Sequence, residues 1–179
     1  RRVLFRSNLT TEEYIRDDRF QAIGVGIKIA EGQTHWFTGD QVREELNKID
    51  WKNSALLCHN TQFDGGILAF RYGIVPSLYL DTLSMARAIH GVDAGGSLAY
   101  LVERYNLGAK GTEVVDAKGK RLEHFGSADL HQYGEYCKND VELTYKLFEI
   151  FAPQFPESEI HLIDLTLRMY TQPILEVDD

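Results

Sequence analysis

Cysteine is scarce in this chain. Cys58 and Cys137 are the only two in 179 residues, and neither stands in a C-x-x-C or other zinc spacing. That argues against a disulfide scaffold or a zinc module and fits a reducing, cytoplasmic setting. Long apolar runs are missing too: none approaches the ~20 residues a membrane span needs, so no membrane association is expected. The N-terminus is basic, but no apolar stretch follows it as a secretory signal would require. No internal repeat or low-complexity tract is visible. Positive charge is also short, with 19 Lys and Arg against 27 Asp and Glu and a net charge of −8. A protein that holds duplex DNA by its phosphates is normally basic, so the balance counts weakly against nucleic acid. A site that grips a few nucleotides through metal ions escapes that objection, because it concentrates carboxylates and the ions carry the positive charge.

What is present reads as one globular domain with a sizeable core: hydrophobic residues make up 44% and charged residues 26%. Thr10-Thr11-Glu12-Glu13 has the hydroxyl cap and first-turn acids of a short helix. The alternating segment 20–30, Gly32 and THWFTG predict a β-hairpin, and residues 41–49 a helix. Ala55–Cys58 is a short apolar run, as in a buried strand. A helix over 62–72 follows, stopped by Gly73. Leu78–Leu80 predicts another strand, ending at Asp81. Helices are expected over 82–90 and 97–105, with a loop over 91–96 between them, and a small hairpin within 108–126. A long helix runs from Ser127 or Ala128 to about Phe151, where Pro153 and Pro156 break it. A last helix spans about 158–170 before Pro173. A hairpin followed by alternating strands and helices predicts an α/β sheet with helices packed on it. In such sheets ligands gather at the carboxyl ends of strands, here at His59-Asn60 and Asp81.

Two constellations carry chemistry. In His59-Asn60-Thr61-Gln62-Phe63-Asp64 a buried strand runs into a polar turn, and an Asp falls in the first turns of the next helix. Asp gains there from the helix dipole; the plain alternative is that Asp64 or Asn60 only caps the helix. In the segment YGEYCKNDVELTY, residues 133–145, Tyr136 and Asp140 stand at i and i+4 on one helix face. Val141, Leu143, Leu147, Tyr133 and Cys137 give that helix apolar neighbours. An Asp set against a buried face needs a partner, and a metal ion is one; the alternative is a solvated Asp beside Lys138 and Asn139. Taken together, the two motifs match what two-metal phosphodiester hydrolysis needs: carboxylates converging from separate elements, and a hydroxyl able to orient water.

On these residues the chain resembles the DEDD 3′-5′ exonucleases, which have a ribonuclease H-like fold. Asn60-x-x-Phe63-Asp64 is similar to their second motif. Tyr136-Cys137-Lys138-Asn139-Asp140 is similar to the third in its tyrosine subtype; the histidine subtype would place His where Glu135 stands. TTEEYIRDDRF, DTLSMARAIHG, GTEVVDAKGKRLEHF and YCKNDVELTYKLF read most like the proofreading domain of phage and prophage family A DNA polymerases, and the resemblance covers about residues 8–175. It implies a ribonuclease H-like mixed sheet with flanking helices. It implies proofreading hydrolysis of a single-stranded DNA 3′ end with two Mg2+ or Mn2+ ions, and a polymerase domain in the same full-length chain. Asp64 and Asp140 would hold the ions, and Tyr136 would position the attacking water. His59, Asn60 and Phe63 would line the pocket for the terminal nucleotide. Asp81 would support the site from behind or be structural, with the structural role favoured. Lys110 or Lys118 would reach a phosphate or be solvated.

The family's first motif, Asp-x-Glu on the opening strand, is not found in residues 1–19. Asp17-Asp18 has the wrong spacing, and Asp140-x-Glu142 belongs to the third motif. Arg1–Ser7 reads as unrelated text where the first strand is expected. The expected organisation is therefore an atypical segment over 1–7, an exonuclease-like domain over 8–153, and a helix over 154–179 leading to an absent polymerase domain. With Asp64 and Asp140 alone, weak metal binding and little catalysis are expected. A non-cutting nucleic-acid-binding relative and an RNA-trimming exonuclease are the alternatives.

Overall fold

A computed structural model describes residues 9–109 and 121–173. Its elements in chain order are α1 (Thr11–Arg16), β1 (Gly24–Lys28), β2 (Thr34–Thr38), α2 (Gln41–Asn47), β3 (Ala55–Cys58) and α3 (Thr61–Ile67). They continue with β4 (Leu78–Asp81), α4 (Thr82–His90), α5 (Leu98–Arg104), α6 (Ser127–Phe151) and α7 (Glu157–Thr171). The mixed α/β content agrees with the sequence reading, and β3 keeps the predicted bounds. Helix α3 is shorter than expected: it passes into a π-type turn over Leu68–Tyr72, and Gly73 ends it in the left-handed region at φ 68°. The small hairpin expected within 108–126 falls largely on residues 110–120, outside the described residues. Leu122–His124 forms a 3-10 turn.

The described strands fall into two pairs. β1 and β2 pair antiparallel, with Gly24 opposite Thr38 and Lys28 opposite Thr34. β3 and β4 pair parallel, with Ala55 opposite Leu78 and Cys58 opposite Asp81. These are two separate two-stranded sheets. The parallel pair needs a crossover, which α3 supplies. Among the described residues no strand joins the pairs, so the outer edges of β1 and β3 carry no ladder partner. The β4 side is guarded differently: Asp164 of α7 accepts the Tyr79 backbone N–H at 2.8 Å, and side chains that occupy edge groups in this way discourage added strands.

Helix α6 is the common support, packing on β1, β2 and β3. One core joins α4, α5 and α6 through Met85, Leu101, Val102, Leu143, Leu147 and Phe151. A second gathers Val42 and Leu46 of α2 with Leu68 and Ile74, against Val25 and Ile27 of the hairpin. The hairpin thus has α2 on one face and α6 on the other, as the period-2 alternation of its side chains requires. Its α6 face is built on close approach. A Cβ at Gly24 would lie 2.5 Å from the Trp36 ring, one at Gly134 would lie 2.5 Å from Trp36 Cδ1, and one at Gly26 would meet Val141 at 3.2 Å. The Trp36 indole therefore fills the space left by two glycines, and Tyr133 meets it edge-on at 5.7 Å. Glu142 of α6 adds polar ties, accepting from Lys28 Nζ at 3.0 Å and from the Thr34 hydroxyl. These contacts, chiefly the Thr34 hydrogen bond, hold its carboxyl below the usual glutamate range. Among the described residues no helix is long and apolar enough to cross a membrane.

The Trp36 contact can be tested by a substitution whose local effect has the opposite sign. Gly134→Ala inside α6 should gain about 1 kcal/mol of helix propensity, yet the clash with a ring fixed on β2 costs about 1–3 kcal/mol or more. A net loss of stability in urea unfolding is expected, partly relieved by a second Trp36→Leu change. Stabilisation by Gly134→Ala alone would contradict this packing.

Candidate active site

The turn that links β3 to α3 sets the geometry of the first motif. Asn60 adopts φ 73° and ψ 57°, a left-handed conformation that Asn tolerates better than most residues. Its side chain makes no capping hydrogen bond, and Asp64 lies four residues into the helix. The Asn60 side chain therefore does not cap the helix.

The acceptor is Asp81, at the end of β4 and 4% exposed. Its Oδ1 accepts the backbone N–H groups of Asn60 at 2.8 Å, Thr61 at 3.2 Å and Leu83 at 3.1 Å. Its Oδ2 accepts the Ser84 hydroxyl at 2.7 Å. One carboxylate thus satisfies orphan amides of both α3 and α4. Thr61 adds a 2.6 Å bond from its hydroxyl to the Leu80 carbonyl. The structural role favoured for Asp81 is the one observed.

His59 is held from both sides. Its Nδ1 lies 2.9 Å from Thr82 Oγ1, and its Nε2 lies 2.9 Å from the Gly96 carbonyl oxygen. A carbonyl can only accept, so Nε2 carries a proton, while the Thr82 hydroxyl at Nδ1 also lies 3.3 Å from the Cys58 carbonyl as its donor. Both nitrogens are thereby engaged within the protein, and His59 ties the strand end to the 91–96 loop. Phe63 stacks on Tyr14 of α1 at 6.2 Å. Asn60 and Asp64 are exposed.

The second motif lies on α6. Tyr136 and Asp140 are partly buried, and one oxygen of Asp140 is fully buried. The Asp140 carbonyl accepts the Thr144 hydroxyl at 2.8 Å. Beside them, Cys137 and Val141 lie against Gly26 of β1. Helices α3 and α6, which carry Asp64 and Asp140, both pack on β3. The electrostatics of Cys58 at the end of β3 fit this arrangement: burial raises its thiol pKa well above the ordinary value, and the charges of Asp64 and Asp81 raise it further.

This arrangement does not amount to a two-ion centre. Among the described residues no three His, Cys, Asp or Glu side chains are grouped to hold a metal ion. Asp81 is committed to backbone amides, and Glu142 to Lys28 and Thr34. The two motifs contribute Asp64 and Asp140 among the described residues, fewer carboxylates than two-metal hydrolysis requires. Lys110 and Lys118 lie outside the described residues, so the suggested phosphate contacts fall there as well.

Sequence reading missed the Trp36 seat and the role of Glu142. A Trp on a strand paired with a helical Gly about a hundred residues later leaves no local signal. Asp81 was visible as a residue ending a strand before Thr82, but its reach to Asn60 was not. Its importance can be measured directly. Asp81→Ala removes the acceptor for three amides and should cost about 3 kcal/mol in chemical denaturation. Asp81→Asn keeps one carbonyl oxygen and should lose distinctly less. Equal losses for the two variants would show that charge, not hydrogen bonding, is what matters.

A family described as 3′-5′ exonuclease matches residues 14–156, a span that contains both motifs and every described strand. The DNA polymerase I of Borreliella burgdorferi is 25% identical over 138 residues, covering 76% of this chain and 15% of that relative. With the family match running through most of its length, the chain belongs to the 3′-5′ exonuclease family of family A DNA polymerases.

Proposed function

We propose that this chain is the proofreading part of a longer DNA polymerase and that it hydrolyses the terminal phosphodiester at a single-stranded DNA 3′ end, releasing a nucleoside monophosphate. The observation that carries this reading is that the two motifs lie on α3 and α6, two helices that both pack on β3. Asp64 and Asp140 are the proposed carboxylates for divalent ions, magnesium or manganese. Tyr136, one turn before Asp140 on α6, is the proposed partner of the attacking water. Asn60 and Phe63 are the proposed contacts for the terminal nucleotide. His59 would act there through the loop it holds, since its ring nitrogens are engaged.

Two carboxylates do not suffice for two ions, so the reading needs a further supply. The ladder groups on the outer edges of β1 and β3 suit an added strand, and both edges belong to sheets packed on α6. A strand bearing an acid pair there would bring its carboxylates beside those of α3 and α6, giving the ribonuclease H-like sheet that the resemblance implies. The −8 charge accords with this, because ions rather than basic side chains would neutralise the phosphates.

The test is nucleotide release from 3′-labelled single-stranded DNA by the complete gene product. Release should require a divalent ion and stop with chelator. Asp64→Ala and Asp140→Ala should each reduce it by roughly two to three orders of magnitude, the loss of several kcal/mol of charge stabilisation. Tyr136→Phe, which removes one hydroxyl, should cost less. Undiminished release by Asp64→Ala would overturn the assignment. Binding without any release would indicate a non-cutting relative, and faster release from RNA ends an RNA-trimming enzyme.

A further inference from the structure

The loop between α4 and α5 is built from small residues laid close on their supports. Gly96 has no room for a side chain: a Cβ there would lie 2.5 Å from Leu83 Cδ1 and 3.9 Å from Arg87 Cγ and Nε. Leu83 and Arg87 stand one turn apart on α4, so the Gly96 backbone lies along that helix. Its carbonyl oxygen is 2.9 Å from His59 Nε2, which sets this part of the loop beside the first motif. Gly95 holds φ 78°, and the Tyr100 ring of α5 comes within 3.5 Å of where its Cβ would be. The Tyr100 hydroxyl accepts from Arg104 Nη1 at 3.0 Å, one turn further along α5. Arg87, Tyr100 and Arg104 therefore border one surface, floored by two glycines, that begins at His59.

All three side chains belong to exposed residues. Arg16, Arg19 and Arg168 are paired with carboxylates. Arg87 and Arg104 have no carboxylate partner among the described residues, and the acids of the same region, Asp93 and Glu103, pair with neither. We propose that this surface is the track for the nucleotides preceding the terminal one, an inference that rests on the reading of this chain as one that takes a single-stranded DNA end. Arg87 and Arg104 hold backbone phosphates, and the Tyr100 ring stacks on a base. A guanidinium presents paired donors to a phosphate, and an exposed tyrosine ring accepts the face of any base. The bare glycines let a strand approach the loop backbone closely. The residues proposed from the two motifs serve the terminal nucleotide alone. A strand running on from it meets a chain of net charge −8, so its phosphates need cations from the protein.

The experiment uses the complete gene product and two substrates. One is a single-stranded oligodeoxynucleotide; the other is the nitrophenyl ester of thymidine 5′-monophosphate, in which nitrophenolate replaces the preceding nucleotide. Arg87→Gln, Arg104→Gln and Tyr100→Leu should each raise KM for the strand about tenfold, with kcat held within about twofold. Their kcat/KM for the ester should change by less than about twofold. Each arginine variant should also flatten the dependence of log KM on log salt by about 0.7. Tyr100→Phe keeps the ring and should bind the strand as the unsubstituted protein does. Equal losses on both substrates would overturn the inference, since the variants would then disturb the fold or the motifs; an unchanged KM for the strand would overturn it too. A second readout needs no hydrolysis. A strand with 5-iododeoxyuridine just before its terminal nucleotide, irradiated on the protein in chelator, should crosslink to Tyr100. Crosslinking without nucleotide release keeps the track and removes the exonuclease activity. Release with no crosslink at Tyr100 and an unchanged KM does the reverse.

Discussion

Four hydrogen bonds converge on the Asp81 carboxylate, and the position of the first motif follows from them. A buried, ionised carboxylate is costly unless its lone pairs are filled. Here they are filled by the amides that two helix starts leave over. The result is a rigid corner in which β3, β4, α3 and α4 meet at one side chain. Asn60 can hold its left-handed conformation because its own N–H is fixed to that carboxylate. Asp64 then extends from a helix whose first turn cannot drift, and His59 fastens the next loop to the same corner through Thr82 and Gly96.

The second motif depends on a different kind of constraint. Steric fit sets the hairpin on α6: Trp36 occupies the room left by Gly24 and Gly134, and Gly26 brings the helix backbone close at Cys137. Glu142 then locks the far end of the hairpin through Lys28 and Thr34. A polar corner thus orients one carboxylate and an apolar seat orients the other, while β3 relates the two.

Helix α7 packs on the same unit as the motif-bearing elements. It covers α3 and the β4 side, with Gly66 closely approached by Tyr170 and Ile15, and Asp164 occupies a β4 amide. An edge guarded in this way contrasts with β1 and β3, whose ladder groups have no strand partner among the described residues.

The sequence by itself determined the local elements and where their polar residues fall along them. Short-range signals sufficed there: a hydroxyl cap before Thr11, the period-2 run into the hairpin, the apolar Ala55–Cys58 stretch, the Gly73 stop, and the i, i+4 spacing of Tyr136 and Asp140. Each depends on residues a few positions apart, where backbone propensity and side-chain period act directly. Only the tertiary structure decided what those elements do to one another. The two-sheet arrangement, the Trp36 seat on Gly134, the commitment of Glu142 to Lys28, and the reach of Asp81 across to Asn60 join residues about 20 to 114 positions apart. Such pairings are selected by close packing and by the need to satisfy buried polar groups, conditions that exist only once the chain is folded.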